Sequence, residues 1–140
     1  MKVAIGNDHG GIALKDAILA VLAEQGCEVL DHGCASPESV DYPDFGALVC
    51  ESILQGRAER GILICGTGIG MSMVANRHKG IRAALCQESF SARMSRQHND
   101  ANVLCLGARV IGPGLARDIV QTWLQTSFEG GRHLKRISSF

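Results

Sequence analysis

Five short apolar segments alternate along the chain with stretches in which apolar residues recur at helical spacing. This alternation is typical of a parallel sheet that is covered by helices. The pattern predicts an α/β protein: a single three-layer α/β/α, Rossmann-like domain over residues 1–140, with a five-stranded parallel sheet. The predicted strands are centred on Val3–Ile5, Val29–Leu30, Ile62–Ile64, Ala83–Leu85 and Val103–Leu106.

Three of the intervening stretches carry helix boundary signals. The first helix is predicted to begin near Ile12 and to stop at Gly26, since glycine suits a helix C-terminus. The second is predicted to run from Tyr42 to Gly56, and Pro113 fits the first turn of the last helix. The residues expected to face the core are Leu14, Ile18, Val21 and Leu22, then Phe45, Leu48, Val49 and Ile53, and finally Leu115, Ile119 and Trp123.

Length and charge narrow the classes of function. The 140 residues suffice for one hydrophobic core. Lys plus Arg equals Asp plus Glu at 14 each, so no net field favours nucleic acid or a membrane surface. No stretch approaches the ~20 apolar residues of a membrane span. The six cysteines include no C-x-x-C pair, so we expect reduced thiols in a cytoplasmic protein and no structural zinc site.

Ligands of open parallel sheets bind beyond the carboxyl ends of the strands. The segment that follows the third predicted strand there, Cys65–Ser72, has glycine at alternate positions 66, 68 and 70. Backbone N–H groups of such a loop can approach an anionic ligand closely. A plain tight turn would also explain the glycines, and a dinucleotide fingerprint would require glycine where Met71 stands.

Two further features lie at the same edge of the predicted sheet. Cys65 ends the third strand, where loop N–H groups would favour a thiolate, although an inert buried thiol is equally compatible with its position. Asp8 and His9 stand between glycines after the first strand, where a carboxylate can orient an imidazole. Helix capping by Asp8, with His9 solvated, is the simpler alternative. The other cysteines are expected to be inert and buried: Cys27, Cys34, Cys50, Cys86 and Cys105.

The C-terminal segment from about residue 129 is basic. Arg132 and Arg136 would share one face of a helix and could clamp a phosphate, although such a run is commonly a solvated tail. Upstream, His98 belongs to the polar run Ser95–Asp100, which also fits a simple helix C-terminus.

In combination and order, these motifs closely resemble the B-type ribose-5-phosphate isomerases, a family that also includes galactose-6-phosphate isomerase subunits. The resemblance runs from about Val3 to Arg136. The segments that carry it are Asp8–Gly11, Asp41–Asp44, Ile64–Gly70, Arg96–Asp100 and Gly130–Arg132.

The resemblance implies an isomerase that interconverts ribose 5-phosphate and ribulose 5-phosphate through a cis-enediolate, without metal or cofactor. It implies that Cys65 transfers the proton, that His98 opens the sugar ring, and that Thr67 with the loop amides stabilises the enediolate. The loop amides are those from Gly66 to Gly70, which include Gly68 and Ile69. The other implied contacts are Asp8 and Asn99 to sugar hydroxyls and His9, Arg109, Arg132 and Arg136 to the phosphate, with Tyr42 near the site.

The resemblance also implies a homodimer, or a tetramer, in which each site takes residues from two subunits. The implied ligand is a phosphorylated sugar, with no nucleic-acid or membrane partner. Two alternatives stay open at this point. The substrate could instead be a four- or six-carbon sugar phosphate, such as erythrulose 4-phosphate, allose 6-phosphate or galactose 6-phosphate. The chain could also be a non-catalytic module that binds phosphosugars or nucleotides.

Overall fold

A five-stranded parallel sheet with the strand order β2-β1-β3-β5-β4 forms the centre of the molecule. The computed structural model describes all 140 residues. It confirms the predicted fold and the position of every predicted strand. The strands are β1 (Lys2–Asn7), β2 (Glu28–Asp31), β3 (Arg60–Cys65), β4 (Ala83–Leu85) and β5 (Val103–Gly107); the helices are α1 (Ile12–Glu24), α2 (Tyr42–Leu54), α3 (Ile69–Ala75), α4 (Ser89–Gln97), α5 (Pro113–Gln125) and α6 (Arg132–Ile137).

Helices cover both faces of the sheet. Helices α1, α4 and α5 pack together on one face, over a core centred on the fully buried Trp123. Helices α2 and α3 cover the other face. Between their terminal residues the central strands β1, β3 and β5 carry no polar side chain, because both of their faces are buried. No helix has both the length and the apolar character that crossing a membrane requires.

The helix boundary signals are confirmed, whereas two of the predicted core positions are wrong. Helix α1 begins at Ile12, and Gly26 lies just past its end in a left-handed conformation with φ +69°. Leu48 and Leu115, predicted to face the core, are each 41% exposed. The residues that are buried in their place are smaller ones nearby in the same helices, Cys50 in α2 and Ala116 in α5.

The two outer strands of the sheet are protected differently. Strand β2 carries exposed acidic residues at both ends, and these form ion pairs Lys2–Glu28 at 2.9 Å and Lys15–Asp31 at 3.0 Å. Strand β4 is uncharged. There the side-chain amide of Asn76 donates to the Ala83 carbonyl and accepts from the Ala83 N–H, both at 2.9 Å.

Candidate active site

The loops that follow β1, β3 and β5 meet at the edge of the sheet where these strands end, here called the carboxyl edge. The Arg109 N–H donates to the Gly66 carbonyl at 2.9 Å, which joins the third loop to the second. The first loop is equally close, since a Cβ atom on Gly10 would lie 3.1 Å from the Gly66 nitrogen. The sequence-predicted glycine loop is therefore the centre of this edge.

Cys65 ends β3 with its sulfur turned into this loop. Its Sγ accepts a hydrogen bond from the Gly68 N–H at 3.1 Å, and a donor there stabilises negative charge on sulfur. Gly68 adopts φ +76°, and a Cβ atom would lie 2.6 Å from the Leu85 side chain, so the turn requires glycine. Cys65 is only 5% exposed, whereas Thr67, two residues later in the loop, is exposed.

The remaining cysteines divide into two groups. Burial raises the pKa of Cys50 to about 11 and raises the pKa values of Cys86 and Cys105, as expected for inert thiols. Cys27 and Cys34 are half-buried, so the expectation that they lie in the core is wrong for these two. No cysteine is in a disulfide.

Thr67 and Tyr42 line the start of α3. The Thr67 hydroxyl oxygen accepts from the Ile69 N–H at 3.3 Å. The Tyr42 ring lies against Gly70, where a Cβ atom would be 2.7 Å from the ring carbons. The remaining N–H groups in the first turn of a helix lack intrahelical carbonyl partners. The loop thus presents backbone donors beside the sulfur of Cys65.

Asp8 and His9 have different environments after β1. Asp8 is buried, and its Oδ1 accepts from the Gly11 N–H at 3.1 Å, so it does cap the following turn. His9 is half-buried rather than solvated, and its Nδ1 accepts from the Val40 N–H at 3.2 Å. That bond places the proton of a neutral imidazole on Nε2. His9 can therefore donate an N–H to a ligand at this edge.

The Arg109 guanidinium lies over the glycine loop, with Nη1 3.2 Å from where a Gly66 Cβ atom would be. Arg109 is exposed and makes no ion pair within the chain. A free guanidinium beside free amide and imidazole N–H groups favours an anionic ligand.

His98 and Asn99 lie at the opposite edge of the sheet, here called the amino edge. Helix α4 runs back against the strands and ends at Gln97, and the Gly61 N–H at the start of β3 donates to the Asn102 carbonyl at 2.8 Å. The six residues of β3 separate the two edges by about 17 Å. The predicted site is thus split within one chain. The carboxyl edge holds Asp8, His9, Tyr42, Cys65, Gly66, Thr67, Gly68, Ile69, Gly70 and Arg109, and the amino edge holds His98, Asn99, Arg132 and Arg136.

The C-terminal segment folds against His98. The Glu129 N–H donates to the Gln97 carbonyl at 3.1 Å, and the His133 ring stacks on the His98 ring with centroids 4.3 Å apart and planes 12° apart. Residues Arg132–Ile137 form helix α6, so Arg132 and Arg136 share one of its faces, and both are exposed. Burial, with the neighbouring His98 and Arg132, lowers the pKa of His133.

Sequence reasoning missed two sets of contacts at the amino edge. Glu129 and His133 were not singled out, although their i, i+4 spacing is visible; the His133 Nε2 lies 3.4 Å from the Glu129 Oε2. The second set holds the loop after α4. Arg96 bonds to the Ala101 carbonyl at 2.7 Å and to the Asp100 carboxylate at 2.9 Å.

Asp100 has φ +45°, the one positive value among the non-glycine residues, and Arg82 bonds both its carbonyl and its carboxylate. A cavity of about 230 Å³ opens beside this loop. Its lining residues are Asn76, Arg82, Ala83, Ala84, Asn99, Ala101 and Phe140.

Comparison with known proteins assigns the family. Residues 3–140 match the family model described as Ribose/Galactose Isomerase. The chain is 50% identical to ribose-5-phosphate isomerase B of Escherichia coli over 138 residues, covering 99% of this chain and 93% of that protein. It is 46% identical to D-erythrulose-4-phosphate isomerase of Pectobacterium atrosepticum over 138 residues, covering 98% and 91%.

The fold agrees with a solved structure of the same kind. Ribose-5-phosphate isomerase B of Clostridium thermocellum superimposes with a TM-score of 0.97 at 56% identity, covering 99% of this chain and 94% of that one. Sequence and structure thus agree over nearly the whole chain. The chain belongs to the ribose/galactose isomerase family.

Proposed function

We propose that this chain is a ribose-5-phosphate isomerase, which interconverts ribose 5-phosphate and ribulose 5-phosphate. The observation that carries the proposal is the Cys65 sulfur beneath the glycine loop, with the Gly68 N–H at 3.1 Å and the exposed Thr67 beside it. The names of the Escherichia coli and Clostridium thermocellum relatives support the same activity.

The isomerisation requires a base and a site for a developing oxyanion. In the proposed mechanism, the Cys65 thiolate takes the proton from C2 of the open-chain aldose. The electron pair moves through the C1–C2 bond to the carbonyl oxygen and gives an enediolate, which Thr67 and the loop amides stabilise. The Cys65 thiol then returns the proton to C1, while a proton moves from the C2 oxygen to the C1 oxygen. No electrons leave the substrate.

Sugar phosphates exist mainly as rings, so the reaction also needs a group that opens the ring. We assign this step to His98. His98 would accept the proton of the anomeric hydroxyl and return a proton to the ring oxygen as the bond from that oxygen to C1 breaks. Asp8 and Asn99 are proposed to bind sugar hydroxyls. The phosphate would bind His9, Arg109, Arg132 and Arg136, and contacts this far from C1 and C2 hold the chain in position for proton transfer.

The split between the two edges supports a homodimer with shared sites. Cys65 and His98 lie at opposite edges of the sheet, so a complete site would combine the carboxyl edge of one chain with the amino edge of another. Helix α3 supports such a contact, because Ile69 and Met73 are four residues apart and are 45% and 65% exposed. The segment from about residue 129 would then provide both phosphate ligands and contacts to the partner.

The six free thiols support a reducing compartment, the cytoplasm.

The second candidate is isomerisation of a four-carbon sugar phosphate, which the name of the Pectobacterium atrosepticum relative favours. A coupled assay with erythrulose 4-phosphate, ribose 5-phosphate, allose 6-phosphate and galactose 6-phosphate separates the candidates by kcat/KM. We expect the highest value for ribose 5-phosphate. A higher value for another sugar would reassign the substrate, and binding without turnover of any of them would identify a non-catalytic module.

A further inference from the structure

A buried amide, that of Asn7 at the end of β1, joins the loop that carries Asp8 and His9 to the β2–α2 segment, residues 32–41. Asn7 is fully buried. Its Nδ2 donates to the Asp8 carbonyl and to the Cys34 carbonyl, both at 3.0 Å. The main chain strengthens the second contact, since the Cys34 N–H donates to the Asn7 carbonyl at 3.0 Å. One side chain thus holds two loops of the carboxyl edge together.

Both bonds from the Asn7 amide act on His9. The Asp8 carbonyl belongs to the peptide group that leads into His9, so the first bond restricts the backbone at that point. Beyond Cys34 the β2–α2 segment is exposed from residue 35 to residue 39. The Val40 N–H, which donates to the His9 Nδ1 at 3.2 Å, makes the one hydrogen bond by which residues 35–40 reach outside the segment. Asn7 therefore fixes the backbone before His9 and also the segment that holds the His9 ring.

The surroundings of the Asn7 oxygen indicate that the amide is there for these contacts. The Asn7 Oδ1 is buried and accepts no hydrogen bond. A buried acceptor without a partner costs free energy, which an apolar side chain of similar shape would avoid. Gly33 packs directly on this oxygen, because a Cβ atom at position 33 would overlap it. The unpaired oxygen is thus a cost that only the two bonds from Nδ2 offset.

We propose that Asn7 is a positioning residue, which directs the His9 imidazole towards the phosphate of the substrate. Because Asn7 is fully buried, it acts on His9 and does not contact the substrate. The bond from Val40 leaves the proton of a neutral His9 ring on Nε2, where it can be donated to an anion. The functional part of this proposal rests on the proposed phosphate role of His9, whereas the connection between the two loops does not.

The connection is tested first without substrate, on the full chain. Asn7→Leu keeps the approximate shape of the side chain and removes both donors. Imidazole ¹⁵N NMR reports which nitrogen of His9 carries the proton, and amide hydrogen exchange reports the Val40 N–H. In Asn7→Leu we expect a mixture of the two tautomers and roughly 2- to 10-fold faster exchange at Val40, the equivalent of one net hydrogen bond.

Gly33→Ala tests the same contact by a second route, because its added methyl group displaces the Asn7 amide. Gly33 is not in the left-handed region, so the methyl group acts on the side chain and does not strain the backbone. It should shift the His9 and Val40 signals in the same direction as Asn7→Leu. The control is Ser39→Ala, since Ser39 is exposed in the same segment and its side chain makes no hydrogen bond.

The effect on function is measured as kcat/KM for ribose 5-phosphate and as the dissociation constant of inorganic phosphate. His9→Ala should lower kcat/KM by about 10- to 100-fold, the scale of one hydrogen bond to a charged group. Asn7→Leu should lower it by a smaller factor and weaken phosphate binding in parallel. When His9 is already alanine, Asn7→Leu should cost less than about twofold more, because the ring through which it acts is gone.

Unchanged His9 and Val40 signals in both Asn7→Leu and Gly33→Ala would overturn the proposal. So would an undiminished loss of kcat/KM from Asn7→Leu in the His9→Ala protein, which would limit Asn7 to a role in the fold. A chain that isomerises none of the sugar phosphates, but binds inorganic phosphate more weakly after Asn7→Leu, would keep the positioning role and refute the proposed function.

Discussion

The surroundings of its sulfur distinguish Cys65 from the other buried cysteines. Cys50, Cys86 and Cys105 have pKa values raised by burial, whereas the Cys65 sulfur receives the Gly68 N–H at the mouth of a loop. A side chain that is buried on one side and faces donors on the other can change its charge during a reaction at low energetic cost. This contrast makes Cys65 the preferred base.

Cys65→Ser is expected to lower kcat by roughly 10²- to 10⁴-fold, the usual contribution of a general base. Serine fits the same space, so the free energy of unfolding in urea should change little. Cys27→Ser is the matched control, because Cys27 is half-buried at the start of β2 and away from the loop. A Cys65→Ser enzyme with full activity would remove this thiol from the mechanism.

The two arginines of α6 are expected to act on the phosphate. Arg132→Ala or Arg136→Ala should lower kcat/KM for ribose 5-phosphate. The expected loss of transition-state stabilisation is about 2–4 kcal/mol, the scale of losing one partner of a charged pair. Lys135→Ala provides the control for loss of a positive charge from α6, since Lys135 is also exposed there but is not among the expected phosphate ligands. Unphosphorylated ribose should be a poor substrate for every variant. Equal losses with both sugars would instead indicate damage to the fold.

Among the elements, α4 and the loop after it decide where His98 and Asn99 lie. Arg96 is buried, its guanidinium carbon lies 5.8 Å from the Trp123 ring, and its Nη1 bonds to Ala101 and Asp100. Arg96 therefore links the loop after α4 to Trp123 of α5 and holds Asp100, the residue with a positive φ, in place. We propose that Arg96 is a positioning residue, because it contacts the loop that carries His98 and not the expected substrate.

Arg96→Gln is expected to lower the free energy of unfolding by about 1–3 kcal/mol, since it removes a buried charged hydrogen bond. Because the loop loosens, kcat for the cyclic sugar phosphate should fall more than KM rises. Arg93→Gln, on the exposed side of the same helix, should change stability by less than about 0.5 kcal/mol. Urea denaturation and steady-state kinetics on both variants measure this. A stability loss with unchanged kcat would limit Arg96 to a structural role.

Much of the element pattern was predictable from the sequence. Every strand centre and the boundaries of α1 and α2 follow from apolar runs, Pro43 and terminal glycines, because these signals are local. The exposure of Leu48 and Leu115 was not predictable. Periodicity identifies the apolar face of a helix, but the rotation of that face towards the sheet depends on the elements that pack against the helix. The residues of the site came from family resemblance, but the contact of His133 with His98 depends on a chain reversal that no local pattern describes.

At the scale of the whole molecule, one chain holds the residues of the proposed site in two groups at opposite edges of the sheet. If sites are shared, defects in different halves must complement each other. Cys65→Ala and His98→Ala dimers should each be nearly inactive with a cyclic substrate. When they are unfolded and refolded together, random pairing makes about half the dimers mixed, and each mixed dimer has one intact site.

Recovered activity should approach about a quarter of that of wild type refolded in parallel, if the sites act independently. Each variant refolded alone is the control, and differently tagged chains verify the exchange. If both residues serve a site within one chain, every site in the mixture retains a defect. An inactive mixture with proven exchange would therefore refute sharing while leaving the isomerase activity possible.

The contact between Asn76 and Ala83 has a consequence for the behaviour of the protein in solution. An uncovered outer strand is a template for intermolecular strand addition and aggregation, and β4 has no charge to oppose it. Asn76→Leu should therefore increase light scattering on prolonged incubation, whereas Arg77→Leu adds the same apolar group without uncovering the strand. Equal scattering by the two variants would attribute the effect to surface hydrophobicity alone. In the native chain, a single amide takes the place of a neighbouring strand and keeps this end of the sheet closed to other molecules.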